Sequence, residues 1–344
     1  MPSEKHVRLR DIADRLGLSM MSVSVALRGM PGVSEKTRKA VKACAARLGY
    51  LPDPAMSALA DYRRRVRPVA SFAQLAFVTD YPLKNDPAWR YTDAFLDGAR
   101  KRGREFGYDV VPFWLREDGM TKKQASSVLF NRGIKGLLIA PLPVDQGELD
   151  LTWKYFASVA LGTSLSSPRL DYAAFDHHEA MQVALEKLQQ RGYGRIGLFL
   201  LYRRSARLRY APLDAYVGHQ HRQAPDARLT PLLMDAYSSA EFWAWYDREK
   251  PKAIITDASE KILDILKERG LRAPRDLGVA CVGRFSTENA HISSVTQDLK
   301  EIGAAAVDRL HTNLLRNAYG VPEHSYGTLL HGHWAEGTTL RKKR

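Results

Sequence analysis

The residues Gly192-Tyr-Gly-Arg-Ile-Gly197 have the G-x-G-x-x-G spacing with which a glycine-rich loop approaches a dinucleotide pyrophosphate. That chemistry needs a strand before the motif and a helix after it. Here a helical pattern over Met181–Gln190 comes first and an apolar strand pattern over Ile196–Leu201 follows. The motif therefore reads as a helix end and a turn, and no cofactor is expected. His177-His178, His219-x-His221 and His331-x-His333 lack a cysteine or acid at ligand spacing, so no metal is expected on them. Neither a G-x-x-x-x-G-K-[ST] phosphate loop nor a G-x-S-x-G elbow occurs, and no catalytic residue is predicted.

What remains with chemistry to do is positive charge. The 344 residues carry 52 Lys+Arg against 38 Asp+Glu, a net +14. Residues 1–68 hold +8 of it, from 14 basic and 6 acidic side chains. A short basic segment ahead of a near-neutral remainder points to a polyanionic partner or to a solvated basic face. Apolar residues at 45% and charged residues at 26% describe an ordinary globular chain, which excludes disordered and collagen-like classes. Cys44 and Cys281, far apart, exclude a disulfide framework and fit a reducing compartment. The start MPSEKHVRLRD has no apolar run of the signal-peptide kind, and stretches such as GLLIAPLPV from Gly136 are too short to span a bilayer. A cytoplasmic protein with no membrane partner is expected.

The elements that position the basic residues are short helices. Leu9, Ile12, Ala13 and Leu16 recur at helical spacing, and Gly17 ends that helix. Ser19 is an N-cap for a second helix to about Leu27, with Val23, Ala26 and Leu27 inward. Ser34 caps a third through Leu48, with Val41, Ala45 and Leu48 inward. Two helices on a tight glycine turn, closed by a third, make a helix-turn-helix, whose second helix enters the DNA major groove. A bundle that binds nothing has the same pattern. Asp53-Pro54 then starts a helix of barely two turns, too short to be stable alone. It suits a hinge that folds on docking, with Met56 and Leu59 as apolar wedges for the minor groove, or an ordinary linker helix. Arg63-Arg64-Arg65-Val66-Arg67-Pro68 reads as the linker that follows.

The stretch LRDIADRLGLSMMSVSVALRGMPGVSEKTRKAVKACAARLGYLPDPAMSALA resembles the headpiece of the lactose-repressor (LacI) family of bacterial transcription regulators. The D-I-A at Asp11, G-L-S-x-x-S-V-S around Ser19, V-S-x-x-T-R at Val33 and G-Y-x-P at Tyr50 carry the resemblance, over Val7 to about Ala60. It implies that the headpieces of a homodimer read two half-sites of double-stranded operator DNA, while paired hinge helices set Leu59 into the central step. The implied DNA-binding residues are Leu9, Arg10, Ser19, Met20, Met21, Ser22, Ser24, Val25, Arg28, Ser34, Thr37, Tyr50, Met56 and Leu59. Met20 and Met21 stand at base-reading positions, Val25 where the family usually has Arg, Arg28 where it has Asn, and Asp53-Pro54 at an altered hinge start. Methionine makes no bidentate hydrogen bonds and reads thymine methyls and shape, so an operator unlike the common ones is expected.

Beyond Ser71, short apolar runs alternate with helical patterns: QLAFVTD, YDVVPF, GLLIAP, SVALG, RIGLFLL, KAIITD and GVACVG. Alternating βα units imply parallel sheets with helices on both faces, and the length suits two lobes around a cleft. RGIKGLLIAP, FDHHEAMQVALEKLQQRGYGRIGLF and AIITDASEKILDILKERG are similar to the family's effector domain, which resembles periplasmic sugar-binding proteins. The fold class is therefore α/β: an all-α headpiece over residues 1–65 and a two-lobed domain over 71–340, with crossovers near Phe175, Val295 and Tyr326. The resemblance puts Arg209, Asp257, Phe285 and Gln297 at effector positions, with Phe285 and Gly162 replacing carboxylates and Thr256 an asparagine. Pro212 and Leu213 replace a Gly-Phe pattern. Tyr81, Trp89 and Tyr91 follow the first strand and are candidates to stack on a ring, or are plain core or surface aromatics. With two carboxylates gone, a sugar, a more aromatic or anionic ligand, or none remain open. The expected function is a repressor modulated by a small-molecule effector. An effector-dependent activator uses the same parts, and an enzyme with a basic appendage is the different-class alternative.

Overall fold

The computed structural model describes residues 7, 9–27, 32–48, 50, 73–82, 90–285 and 290–342. Helices α1 (Leu9–Leu16), α2 (Met20–Leu27) and α3 (Glu35–Leu48) open the chain, at the bounds that capping chemistry predicts. Gly17 takes a φ of 63°, the left-handed conformation that lets the backbone leave α1. Ser19 Oγ accepts the backbone N–H of Ser22 at 3.0 Å, and Ser34 Oγ accepts that of Thr37 at 3.1 Å. Ile12, Ala13, Val23, Ala26, Val41, Cys44 and Ala45 form the buried core, with Leu9, Leu16, Leu27, Leu48 and Tyr50 packed against it. Cys44, read from sequence only as a thiol, is a core residue.

The first lobe contains β1 (Ala73–Thr79), α4 (Arg90–Glu105), β2 (Tyr108–Trp114), α5 (Lys122–Asn131) and β3 (Gly136–Ile139). The short pair β4 (Gly147–Glu148) and β6 (Leu165–Ser167) flanks β5 (Ala157–Leu161), and β7 (Asp171–Phe175) follows. The second lobe contains α6 (His177–Gln189), β8 (Ile196–Leu201), α7 (Tyr202–Arg207), α8 (Ala211–His221) and β9 (Leu232–Met234). It continues through α9 (Ser239–Glu249), β10 (Ala253–Thr256), α10 (Ser259–Glu268), β11 (Gly278–Phe285) and β12 (Ser294–Gln297). The chain returns to the first lobe with α11 (Leu299–Leu315) and β13 (Gly327–Leu330), then adds β14 (His333–Ala335) to the second.

The first sheet runs β13-β7-β5-β3-β1-β2, parallel throughout. The second runs β14-β12-β11-β10-β8-β9, parallel except for β14 on β12. The crossings fall at Asp176, at Asp298 and at residues 331–332. The first two lie close to the expected points; the last comes later because β13 completes the first sheet before the chain leaves it. Asp176 and Asp298 each cap the helix that follows their crossing, so each change of lobe is tied to a helix start.

Both sheets are covered on both faces, which is why their strands read as continuous apolar runs rather than alternating ones. Phe77, Leu138 and Val159 point to one side of the first sheet; Ala76, Val78, Leu137 and Ile139 point to the other. In the second sheet Leu198, Ile255 and Ala280 oppose Phe199, Ile254 and Val279 in the same way. Helices α4 and α11 pack closely over the first sheet through two glycines. A Cβ at Gly98 would lie 1.8 Å from Lys300 O, and one at Gly303 would lie 2.1 Å from Phe95 O. The Gly192–Gly197 segment joins the end of α6 to β8, the reverse of a dinucleotide-binding order, as its flanks predict. No helix among the described residues is long and apolar enough to cross a membrane.

Candidate functional site

Parallel strands place their carboxyl ends on one edge, and open α/β sheets bind ligands there. In this chain the carboxyl ends of both sheets converge on one cavity of about 910 Å³. Tyr81 and Pro82 follow β1, Pro141 and Pro143 follow β3, Gly162, Thr163 and Ser164 follow β5, and His177 follows β7. From the other lobe come Arg203, Arg204 and Arg207 after β8, Asp257 after β10, Gly283 and Arg284 at the end of β11, and Gln297 at the end of β12. The volume suits a ligand of sugar size.

The lining is rich in cations. Arg203, Arg204, Arg207, Lys261 and Arg284 face Asp145, Asp257 and Glu260 among the described residues. Arg203 pairs with Asp145 of the first lobe at 3.3 Å, and Arg204 with Asp257 at 3.6 Å. Arg207 Nη2 donates to the Tyr91 hydroxyl at 2.7 Å, and the Tyr81 hydroxyl donates to the same oxygen at 3.1 Å. Burial raises the Tyr91 phenol well above the usual tyrosine range, so it stays neutral. Burial also raises the Asp257 carboxyl, against the pull of Arg204. Its Oδ1 is buried and has no hydrogen-bond partner among the described residues; the same holds for Ser205 Oγ on the same wall. Burial lowers His177 to about 4, against the pull of neighbouring Asp176, so this imidazole is neutral near pH 7. It stands edge-on to Phe175, with ring centroids 4.9 Å apart.

One rim is clasped across the lobes by α7 and the turn after it. Gln146 Nε2 donates to Ala206 O at 3.0 Å, Thr163 Oγ1 to Arg207 O at 3.1 Å, and Arg207 Nη1 to Val144 O at 3.3 Å. Arg209 is not on the cavity lining. Its Nη2 donates to Leu165 O at 3.3 Å, and its backbone is left-handed with φ 52°, followed by Tyr210 at 60°. This double reversal turns the chain into α8 and carries Arg209 to the rim, so Arg207 takes the place in the cleft. Tyr81, Tyr91, Asp257, Gln297, Gly162 and Pro212 do line it; Leu213 does not. Trp89 lies outside the described residues, as does the side chain of Phe285. Sequence reasoning missed Arg203, Arg204, Arg207, Arg284, Lys261 and His177. The signal for Arg203 and Arg204 was their place directly after a strand that ends at a cleft.

The second candidate surface is the headpiece. Ser19, Ser34 and Met20 are exposed and Ser22, Ser24, Val25 and Thr37 half-buried on α2 and the starts of α2 and α3. Met20 is 57% exposed at the first position of α2. Ser22 and Thr37 also share hydroxyl hydrogen bonds with their caps, at 2.9 and 2.8 Å. Leu9 and Tyr50 pack against the headpiece core, and Arg10 is exposed beside Asp14 at 3.8 Å. Arg28, Met56 and Leu59 lie outside the described residues, as does the side chain of Met21.

Three family models match the chain. "Bacterial regulatory proteins, lacI family" covers residues 8–53, "Periplasmic binding proteins and sugar binding domain of LacI family" covers 76–215, and "Periplasmic binding protein-like domain" covers 185–332. The lactose operon repressor of Escherichia coli (strain K12) is 24% identical over 320 residues, 89% of this chain and 84% of that protein. The lac repressor dimer bound to operator and the anti-inducer ONPF is similar in fold, with a TM-score of 0.53 at 21% identity over 98% of this chain and all of that one. The transcriptional regulator CelR–cellobiose complex gives 0.51 at 17% identity over 97% of this chain and all of that one. With a helix-turn-helix headpiece, two lobes of the periplasmic-binding-protein kind and a cleft between them, this chain belongs to the LacI family and is a DNA-binding transcription regulator with an effector-binding domain.

Proposed function

We propose that this chain is a cytoplasmic, homodimeric repressor that binds a palindromic operator and releases or grips it according to a small molecule, of sugar size, in the cleft. The observation that carries this reading is the cavity itself, walled by strand ends from both lobes and clasped across its rim by α7. A ligand touching both walls favours one spacing of the lobes, and operator affinity changes only by its differential affinity for the two states. Residues 1–65 serve as headpiece and hinge, and residues 71–340 as the effector and dimer-forming domain. The structural relatives support the partners: one is a repressor dimer bound to operator, another a regulator in complex with cellobiose. Met20, Met21, Val25 and Arg28 read the major groove, Ser19, Ser22, Ser24, Ser34, Thr37 and Arg10 meet the backbone beside Leu9 and Tyr50, and Met56 and Leu59 enter the minor groove.

The test is selection from random duplex DNA by the purified full-length protein at near-physiological salt. An enriched palindrome, bound with an affinity that falls steeply as salt rises, is expected. Enrichment of no sequence, with or without added sugars, would overturn the operator reading.

A further inference from the structure

The cleft distinguishes among ligands more sharply than its size does. Two of its guanidiniums are committed to carboxylates, Arg203 to Asp145 and Arg204 to Asp257. Arg207 is not. Among the described residues its partners are a carbonyl, Val144 O, and the neutral hydroxyl of Tyr91. A half-buried guanidinium with only neutral partners is left short of the charge-assisted, two-pronged bond it is built to make. On the same cavity wall Asp257 Oδ1 is buried without a donor, and a buried acceptor in that state is costly until a donor reaches it. A ligand that answers both needs an acidic group and hydroxyls.

We propose that the effector is a polyhydroxylated small acid, with its anionic group held by Arg207 beside Tyr91 and a hydroxyl donating to Asp257. A neutral sugar supplies the hydroxyl but leaves Arg207 uncompensated. A simple inorganic anion does the reverse. A carboxylate and a phosphate share the chemistry, and the measurement separates them. The inference rests on the reading of this cavity as the effector site.

Isothermal titration calorimetry on the full-length protein compares glucose and galactose with gluconate, glucuronate, galacturonate and glucose 6-phosphate. At least one acid is expected to bind about tenfold or more tighter than its neutral parent. Preference for a carboxylate names a sugar acid; preference for the phosphate names a sugar phosphate. Arg207→Gln is expected to collapse the ratio of acid to neutral affinity, and Arg207→Lys to keep part of it as a point charge. Asp257→Asn should weaken acid and neutral sugar alike and leave the ratio. The ratio reads discrimination separately from general damage to the fold. A neutral parent that binds as tightly as its acid, no acid binding at millimolar concentration, or a preference that survives Arg207→Gln each overturns the proposal. An acid that binds through Arg207 but never shifts operator affinity would overturn its role as effector, and with it the reading of the cavity as an effector site, while keeping only the assignment of Arg207 as the anion-binding group of the cleft.

Discussion

The recognition helix and the cleft wall use charge in opposite ways. Helix α2, Met-Met-Ser-Val-Ser-Val-Ala-Leu, carries no charged residue, although its expected partner is a polyanion. The cleft, whose proposed partner is a small molecule, gathers five cations against three carboxylates among the described residues. The difference follows from what each surface must discriminate. Every DNA sequence carries the same phosphates, so charge on a recognition helix adds affinity without choosing a sequence. The cations belong on the flanks, where Arg10 and Arg15 of α1 and Lys36, Lys39 and Lys42 of α3 stand exposed. In a half-buried cleft, by contrast, a charge left without its counterpart is costly, so a guanidinium there selects for an anion.

The largest test asks whether the two surfaces stand on independent cores. Ile12 is fully buried in a small headpiece core, seven buried side chains among the described residues. Ile12→Ala is expected to cost about 2–5 kcal/mol, enough to unfold a domain that small. Operator binding should vanish in a gel-shift assay while calorimetry still shows ligand in the cleft; loss of both would mean that the cores are coupled.

A second test bears on the cleft alone. The His177 pKa is about 4 in the folded chain against about 6.5 unfolded. The folded state therefore binds fewer protons between those values, and stability falls as the pH drops through that window, by up to about 3 kcal/mol. His177→Gln should flatten this part of the stability–pH profile measured by denaturant titration at successive pH values. An unchanged slope would show that another group carries it.

The third test separates reading from positioning in the headpiece. Met20→Ala should alter which bases are selected, at a cost of about 1 kcal/mol on the best site, with the salt dependence unchanged. Arg10→Ala should weaken all sequences alike and lower the salt slope by about one. The contrast between α2 and its flanks fails if Met20→Ala changes the slope or Arg10→Ala changes the selected sequence.

The smallest effect concerns the clasp. Arg203 and Asp145 form a largely exposed pair, worth less than about 1 kcal/mol. Asp145→Asn should leave the hydrogen bonds of Gln146 and Thr163 in place and loosen the unliganded lobes slightly, seen as a larger radius of gyration in small-angle scattering. No change would assign the clasp to those hydrogen bonds alone.

Much of the headpiece is legible in the sequence because its determinants are local. Gly17, Ser19 and Ser34 set the helix ends through bonds to neighbours three residues away, and the apolar spacing names Ile12, Val23 and Val41 as core. The strands of the lobes are legible for a related reason: runs such as Leu75–Val78 and Ala253–Ile255 are buried on both faces. Asp257 and Gln297 were named from the family resemblance, and both line the cavity, one just after its strand and one at the end of its strand. Arg209 was expected in the cleft and Arg207 was not, because two left-handed residues in succession reverse the chain there, and nothing in the local sequence announces that turn. His177 was passed over as half of a histidine pair, since its surroundings include Gly283, more than a hundred residues away, as well as the ring of Phe175.

The sequence by itself determined the helix-turn-helix, the alternation of strands and helices, and the uncharged character of the recognition helix. Those follow from caps, periodicity and composition within a few residues. Only the tertiary structure decided which arginines meet in the cleft, that Arg207 is left with neutral partners, and that Asp257 carries a buried oxygen without a donor. Such properties depend on groups more than a hundred residues apart, such as Arg207 and Tyr91, brought together by two sheets whose carboxyl ends face each other. Burial and pairing there are set by packing between lobes, which no local pattern encodes.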